Sequence, residues 1–169
     1  MGLVQVATNT VTSSTAYVDL IGTTTDDVYM IVVNGYIPTS DAADLRARVL
    51  ESSTLNTTAN YDRAFLSIRT DTTYSNQANT NETYYDLTTA VGNSTGEQMN
   101  GIIYLYNAND SNQYTYLTAE NVQLSHTALT IGNQGAAVFT SNSQVNGLRF
   151  YPNSGTIASG TFTMYKLSS

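Results

Sequence analysis

Apolar or alternating runs recur about every 10 to 15 residues along the chain, and polar clusters separate them. That is the spacing of a β-sandwich and not of βαβ units. The pattern predicts strands near Leu3–Thr8, Ala16–Ile21, Val28–Tyr36, Asp44–Glu51, Tyr61–Thr70, Thr83–Leu87, Ile102–Asn107, Tyr114–Leu124, Ala136–Thr140, Gln144–Tyr151 and Thr161–Leu167. Alternation is clearest in Leu45-Arg46-Ala47-Arg48-Val49, which puts the apolar residues on one face and both arginines on the other. Residues 12–15, 22–27, 109–112 and 152–155 read as connecting loops, and the Asn-Gly pairs at 34, 100 and 146 as tight turns or bulges. Ser40–Arg46 has a helix-capping serine and early acids, but a loop running into a strand is the preferred reading. Near the end, Phe162 and Met164 share one parity and Tyr165 and Leu167 the other, which predicts a bulge or a strand packed on both faces.

Composition supports an all-β chain with little or no helix. The 27 Thr, 17 Asn and 16 Ser outnumber the single Lys and four Glu, the usual formers of exposed helices. At 169 residues with 41% hydrophobic content, the chain reads as a single domain, 1–169, that can bury a core. Charged residues are only 11%, and 13 acids against 6 bases give a net charge of −7. So few bases argue against a nucleic-acid partner, because phosphate neutralisation needs clustered Lys and Arg. The absence of cysteine removes disulfides, thiolate metal sites and a cysteine nucleophile. The longest apolar run, Val28–Val33, is far short of the roughly 20 residues of a membrane helix, so no membrane partner is expected. The first residues lack the basic and apolar regions of a secretory signal, so synthesis in a cytoplasm is expected.

Three stretches together resemble bacteriophage virion surface proteins of the jelly-roll type. They are VQVATNTVTSSTAYVDLIG with DDVYMIVVNGYIPTSDAADLRARV (residues 4–22 and 26–49), Gly101–Tyr106, and the close from Gly147–Tyr151 through Ile157–Leu167. The last looks like the "I-x-x-G-x-x-x-L-Y-G-L/I" ending of such proteins. Here Lys166 stands where Gly is usual and Met164 where Leu is usual, which predicts a final strand that continues straight. The resemblance implies an antiparallel two-sheet sandwich of jelly-roll type on the outer surface of a virion.

Candidate chemistry is sparse. His126 is the sole histidine and no Gly-x-Ser-x-Gly elbow accompanies it, so a structural role is favoured over a catalytic triad. Asp26, Asp27, Asp41, Asp71 and Asp110 sit beside turn residues, where solvated loop acids are expected more than a glycosidase pair. Asn107–Asn112 alternates oxygen donors as calcium loops do, yet it lacks their glycine and distal glutamate, so an Asn/Asp turn is the simpler reading. No enzyme activity, cofactor or metal is expected.

The tyrosines carry more information. Pairing Tyr106 with Tyr114 puts Tyr104 opposite Tyr116, so four phenol rings line one face of a hairpin while Ile103, Leu105, Thr115 and Leu117 take the other. Tyr104, Tyr106, Tyr114 and Tyr116 are therefore the interface or glycan-contact candidates, because rings with a polar tip suit a surface that is dry at one end. A strand-like run from Leu3 and the lack of heptads lead to the expectation that the whole chain is a head domain without a stalk. The expected function is a capsid decoration (cement) protein, self-associating as a homotrimer and binding the major capsid protein of the assembled head. The alternative is a receptor-binding, baseplate or tail-fibre module that contacts host surface glycan.

Overall fold

The computed structural model describes residues 2–168. Thirteen strands and no helix form among them: β1 (Gly2–Val11), β2 (Val18–Ile21), β3 (Tyr29–Pro38), β4 (Leu45–Glu51), β5 (Thr54–Leu55), β6 (Tyr61–Arg69), β7 (Tyr74–Glu82), β8 (Tyr85–Asp86), β9 (Met99–Tyr106), β10 (Thr115–Leu124), β11 (Thr130–Phe139), β12 (Gly147–Pro152) and β13 (Ile157–Ser168). One sheet has the order β1-β13-β3-β9-β10-β11-β6-β7, and the other β2-β12-β4, with β5 and β8 sharing the outer edge of β4. Every strand pairing is antiparallel.

The order β1-β13-β3-β9 facing β2-β12-β4-β8 is the jelly roll, in which successive strands cross from one sheet to the other in two interlocked Greek keys. Two insertions widen a single sheet. Residues between β4 and β8 supply β6 and β7, those between β9 and β12 supply β10 and β11, and all four strands join the side of β9. The first sheet thus reaches eight strands while its partner stays small.

Burial follows the side-chain period of two. In β10 the inward Thr115, Leu117, Ala119, Asn121 and Gln123 are all buried and the intervening residues exposed. The core is aromatic at its centre. Phe150 and Phe162 pack across the two sheets at 5.4 Å between ring centres, and Tyr61 lies 4.8 Å from Tyr85 and 5.0 Å from Phe139. The buried Tyr61 hydroxyl donates to the Asn56 carbonyl at 2.9 Å and accepts from the Val49 amide at 3.1 Å, so its burial leaves no orphan polar group.

Several local expectations need amending. Tyr74–Glu82, where the sequence pattern predicts no strand, is a nine-residue edge strand. It is held by β6 alone and carries no buried residue, so it has no hydrophobic period to read. Of the Asn-Gly pairs, only Asn34-Gly35 forms a bulge, where the register of β3 against β9 slips and Gly35 takes φ +66°. Gly101 and Gly147 lie within strands instead. A Cβ on Gly101 would sit 2.6 Å from the Asn121 Cβ, and one on Gly147 would collide with the Leu20 carbonyl oxygen. The loop over 40–44 leads directly into β4, as preferred. β13 runs on for twelve residues, and the bulge near its end falls in β1, between Gln5 and Ala7, opposite Tyr165 and Met164.

Candidate functional site

The outer face of the eight-stranded sheet collects the tyrosine candidates. Tyr106 pairs with Tyr116 and Tyr104 with Thr118, a register two residues away from the expected Tyr106–Tyr114 pairing. A slip of two preserves parity, so Ile103, Leu105, Thr115 and Leu117 still face inward and are buried, and Tyr104, Tyr106 and Tyr116 still face out. Tyr114 leaves the ladder and lies in the β9–β10 connection, 41% exposed.

The cause is long-range. The buried Ala108 accepts a hydrogen bond from the Val145 amide at 2.6 Å, and Asn142 and Gln144 donate to the carbonyls of Asn112 and Asn109 at 3.4 and 3.3 Å. The connection is thus pinned to the segment before β12 and takes up residues that a free hairpin would pair. Asn107–Asn112 is a turn within it: Asn107 has φ 56°, and Asp110 accepts from the Asn112 amide at 2.7 Å.

Beside Tyr104 and Tyr106 the face dips into a depression of about 430 Å³, with Ile102, Thr118, Glu120 and Gln134 completing its walls. Gln134 donates to the Glu120 carboxylate at 2.6 Å across the β10–β11 pair. A second depression of about 550 Å³ shares Ile102 and Glu120 and extends over Val32, Asn34, Asn100 and Val122. The small side chains Ala64, Ala78 and Ala136 keep the far third of the face low. Ile68, Tyr74, Ile102, Tyr116 and Val122 are each at least 41% exposed on this face.

Tyrosine count led to Tyr104, Tyr106 and Tyr116, but the same reasoning missed Ile102, Val122, Glu120 and Val32. Strict alternation within each strand would have placed them on the same side. The register that sets them next to the tyrosines is tertiary.

His126 lies on the exposed β10–β11 turn, where its amide donates to the Ala90 carbonyl at 3.3 Å. Glu97, a buried acid of the nearby 92–98 segment, accepts the Ser94 amide at 2.7 Å. Among the described residues, no three His, Asp or Glu side chains gather as a metal-ion cluster. The site therefore offers shape, apolar area and a few hydrogen-bonding groups.

No family model matches the chain, and a search of the curated proteins finds no match.

Proposed function

We propose that this protein is a structural component of a phage virion surface, a decoration protein that docks on the assembled head through the outer face of its eight-stranded sheet. The observation that carries the reading is the breadth and neutrality of that face. Eight strands about 4.8 Å apart, none shorter than the eight residues of β9, give an area of at least about 34 Å by 27 Å, or roughly 900 Å². A specific protein interface needs about 800 Å² per partner, so this face alone suffices. Exposed apolar residues concentrated on one face of a soluble chain mark an interaction surface. The jelly-roll order and the sequence resemblance to virion surface proteins support the virion setting.

The role follows from mass action. A protein that binds the assembled shell and not its free parts stabilises the shell by RT ln(1 + [L]/Kd), about 2.7 kcal/mol per site at a hundredfold excess over Kd. Many sites then add, and self-association of the decoration protein, as a homotrimer, multiplies its hold on the major capsid protein. The net charge of −7 keeps free copies apart before assembly.

The test is to mix purified protein with shells lacking it. Binding should persist from about 0.1 M to about 1 M salt, where the Debye length falls from about 10 Å to about 3 Å, because the docking face is nearly uncharged. Shells that neither bind the protein nor gain resistance to heat would refute the proposal.

A second reading rests on the 430 Å³ depression, whose paired rings Tyr104 and Tyr106 beside Glu120 and Gln134 could hold one sugar of a host glycan. A glycan-array signal that disappears in the Tyr104→Ala, Tyr106→Ala double variant would favour it over head decoration.

A further inference from the structure

The opposite face of the sandwich has the reverse chemistry. On the outer side of the five-stranded sheet, the Arg149 guanidinium lies 3.6 Å above the Tyr17 ring and holds Asp19 with two hydrogen bonds of 2.7 Å. Arg46 lies 3.8 Å above Tyr84 and bonds Asp86 at 2.7 Å. Arg48 lies 5.1 Å from the Tyr151 ring centre and donates to the Thr83 carbonyl and hydroxyl at 2.8 and 3.3 Å. Arg63, nearly buried on the inner side of β6 in the neighbouring sheet, reaches the other oxygen of Asp86 at 3.0 Å. Four of the six basic residues and three of the thirteen acids (Asp19, Asp86 and Asp44, which lies close enough to interact with Arg46, Arg63 and Asp86) thus meet here, which leaves ten acids and two bases for the remainder of the chain.

Two features of this face are unbalanced. Arg48 and Arg149 are direct partners on adjacent strands, an arrangement of like charges that destabilises a sheet. Asp19 offsets Arg149, but Arg48 has no carboxylate partner among the described residues. The Tyr151 hydroxyl is buried beside these arginines without a hydrogen-bond partner among the described residues. Burial, opposed by Arg48 and Arg46, raises its phenol above the ordinary value, so it stays a donor at neutral pH.

We propose that this face is a second binding site, one that takes an anionic polysaccharide through its carboxylate or sulfate groups. It is independent of what the eight-stranded sheet docks on. Guanidinium edges suit planar or tetrahedral oxyanions, and Arg stacked on an aromatic ring loses little entropy when it binds. Arg46 and Arg48 stand about 7 Å apart along β4, with Arg149 about 5 Å across from Arg48, a row of charges on the scale of successive sugar rings. An acidic peptide is disfavoured by the topology. β12 is paired on both sides at Arg149, and β4 on both sides at Arg46, so neither strand offers a free backbone edge at those arginines.

The test titrates the full chain by calorimetry, at about 0.1 M salt so that a Debye length of about 10 Å isolates this patch from the acidic remainder. The probes are a polygalacturonate oligomer (carboxylate), a heparin oligomer (sulfate) and a neutral cello-oligosaccharide. Saturable binding to at least one charged oligomer is expected and none to the neutral one, and the two charged arms separate carboxylate from sulfate. Arg48→Gln should weaken binding about tenfold, the loss of one charge-assisted contact, whereas Lys166→Gln, a charge removed elsewhere, should leave it unchanged. Should Arg48→Gln fail to give the wild-type melting curve, Arg48→Lys provides the same test with charge kept and the fork removed. The proposal is overturned if neither charged oligomer saturates, if both Arg48 variants bind like wild type, or if polyglutamate or duplex DNA binds as tightly as the saccharides.

Discussion

Replacing Asn133 by alanine tests how the inserted half of the large sheet is held to the sandwich. Beneath β10, β11 and β6 the inward positions change from apolar to polar along the strands. Ser67 donates to the Asn133 carbonyl oxygen at 2.5 Å, Asn133 donates to the Asn121 side chain at 2.8 Å, and Asn121 donates to the Leu87 backbone carbonyl at 2.7 Å. All three side chains are at most 9% exposed. They fasten the sheet to the segment that leaves β8, where the small sheet supplies no strand. Truncation at 133 strands the Ser67 hydroxyl and the Asn121 carbonyl in the interior, at about 1 to 3 kcal/mol for each unsatisfied group. A middle figure of about 4 kcal/mol for the two is a large share of the roughly 5 to 15 kcal/mol that holds a domain together, and it lowers Tm by about 8 to 16 °C in a chain of this length. Differential scanning calorimetry reads the shift, and amide hydrogen exchange should speed up over residues 87–91 first. Adding Ser67→Ala removes one of the stranded groups, so the double variant should be more stable than the sum of the single losses implies. A Tm within about 2 °C of wild type for Asn133→Ala, or strictly additive losses, would refute the network as the fastening.

Three further outcomes are expected. Burial raises the phenols of Tyr36, Tyr61 and Tyr85 above their ordinary value of 10.0, so below about pH 10 they add no pH dependence. As pH rises beyond it, the unfolded chain ionises and the folded one does not, so stability falls, and phenolate absorbance at about 295 nm should jump cooperatively with unfolding. At the acid end, the Lys166 and Thr25 hydrogen bonds hold Asp27 below the ordinary carboxylate value, and those of Thr73 do so for Asp71; this stability is present at neutral pH and fades as pH falls through the lowered values, read as a declining Tm. Gly147→Ala should lose about 3 kcal/mol in denaturant melts, because the new methyl lands on the backbone of β2 at Leu20 and Ile21, which cannot yield like a side-chain tip. Ile102→Asp, on an exposed position of the large sheet, should change Tm by less than about 2 °C yet abolish shell binding; retained binding would exclude this face from docking.

What the sequence revealed and what it hid divide along a physical line. Strands with one buried face, such as Leu45–Glu51 and Tyr61–Arg69, advertise themselves by alternation, and all of these are present. β7 buries neither face, so Tyr74–Glu82 looks like any polar loop. The first half of β11 is hidden for a related reason, since its inward residues include Asn133 and Gly135 in place of aliphatic ones. Which residues of the β9–β10 hairpin face out was legible, because parity is local. The register was not, because hydrogen bonds from residues 142–145 set it from outside the hairpin. The arginine face was half legible. Arg46 and Arg48 share a side by local alternation, but Arg149, Tyr17 and Tyr84 join them only through contacts that span up to about 130 residues of chain.

The two insertions explain why one sandwich carries two unlike surfaces. Both add strands beside β9, so only one sheet broadens, and the added outward positions are filled by Ala64, Ala78, Ala136, Leu66 and Val138 with few charges. A broad neutral sheet is suited to a large, water-excluding contact. The small sheet cannot offer that area, and its outward positions carry Arg46, Arg48 and Arg149 with the partners of their guanidinium groups instead. Area-driven and charge-driven contacts respond oppositely to salt: moderate screening leaves the first intact and weakens the second. A single salt titration of any bound partner therefore tells which sheet it occupies. A protein docked by its large sheet still presents the arginines outward, because the two outer faces of a sandwich point in opposite directions.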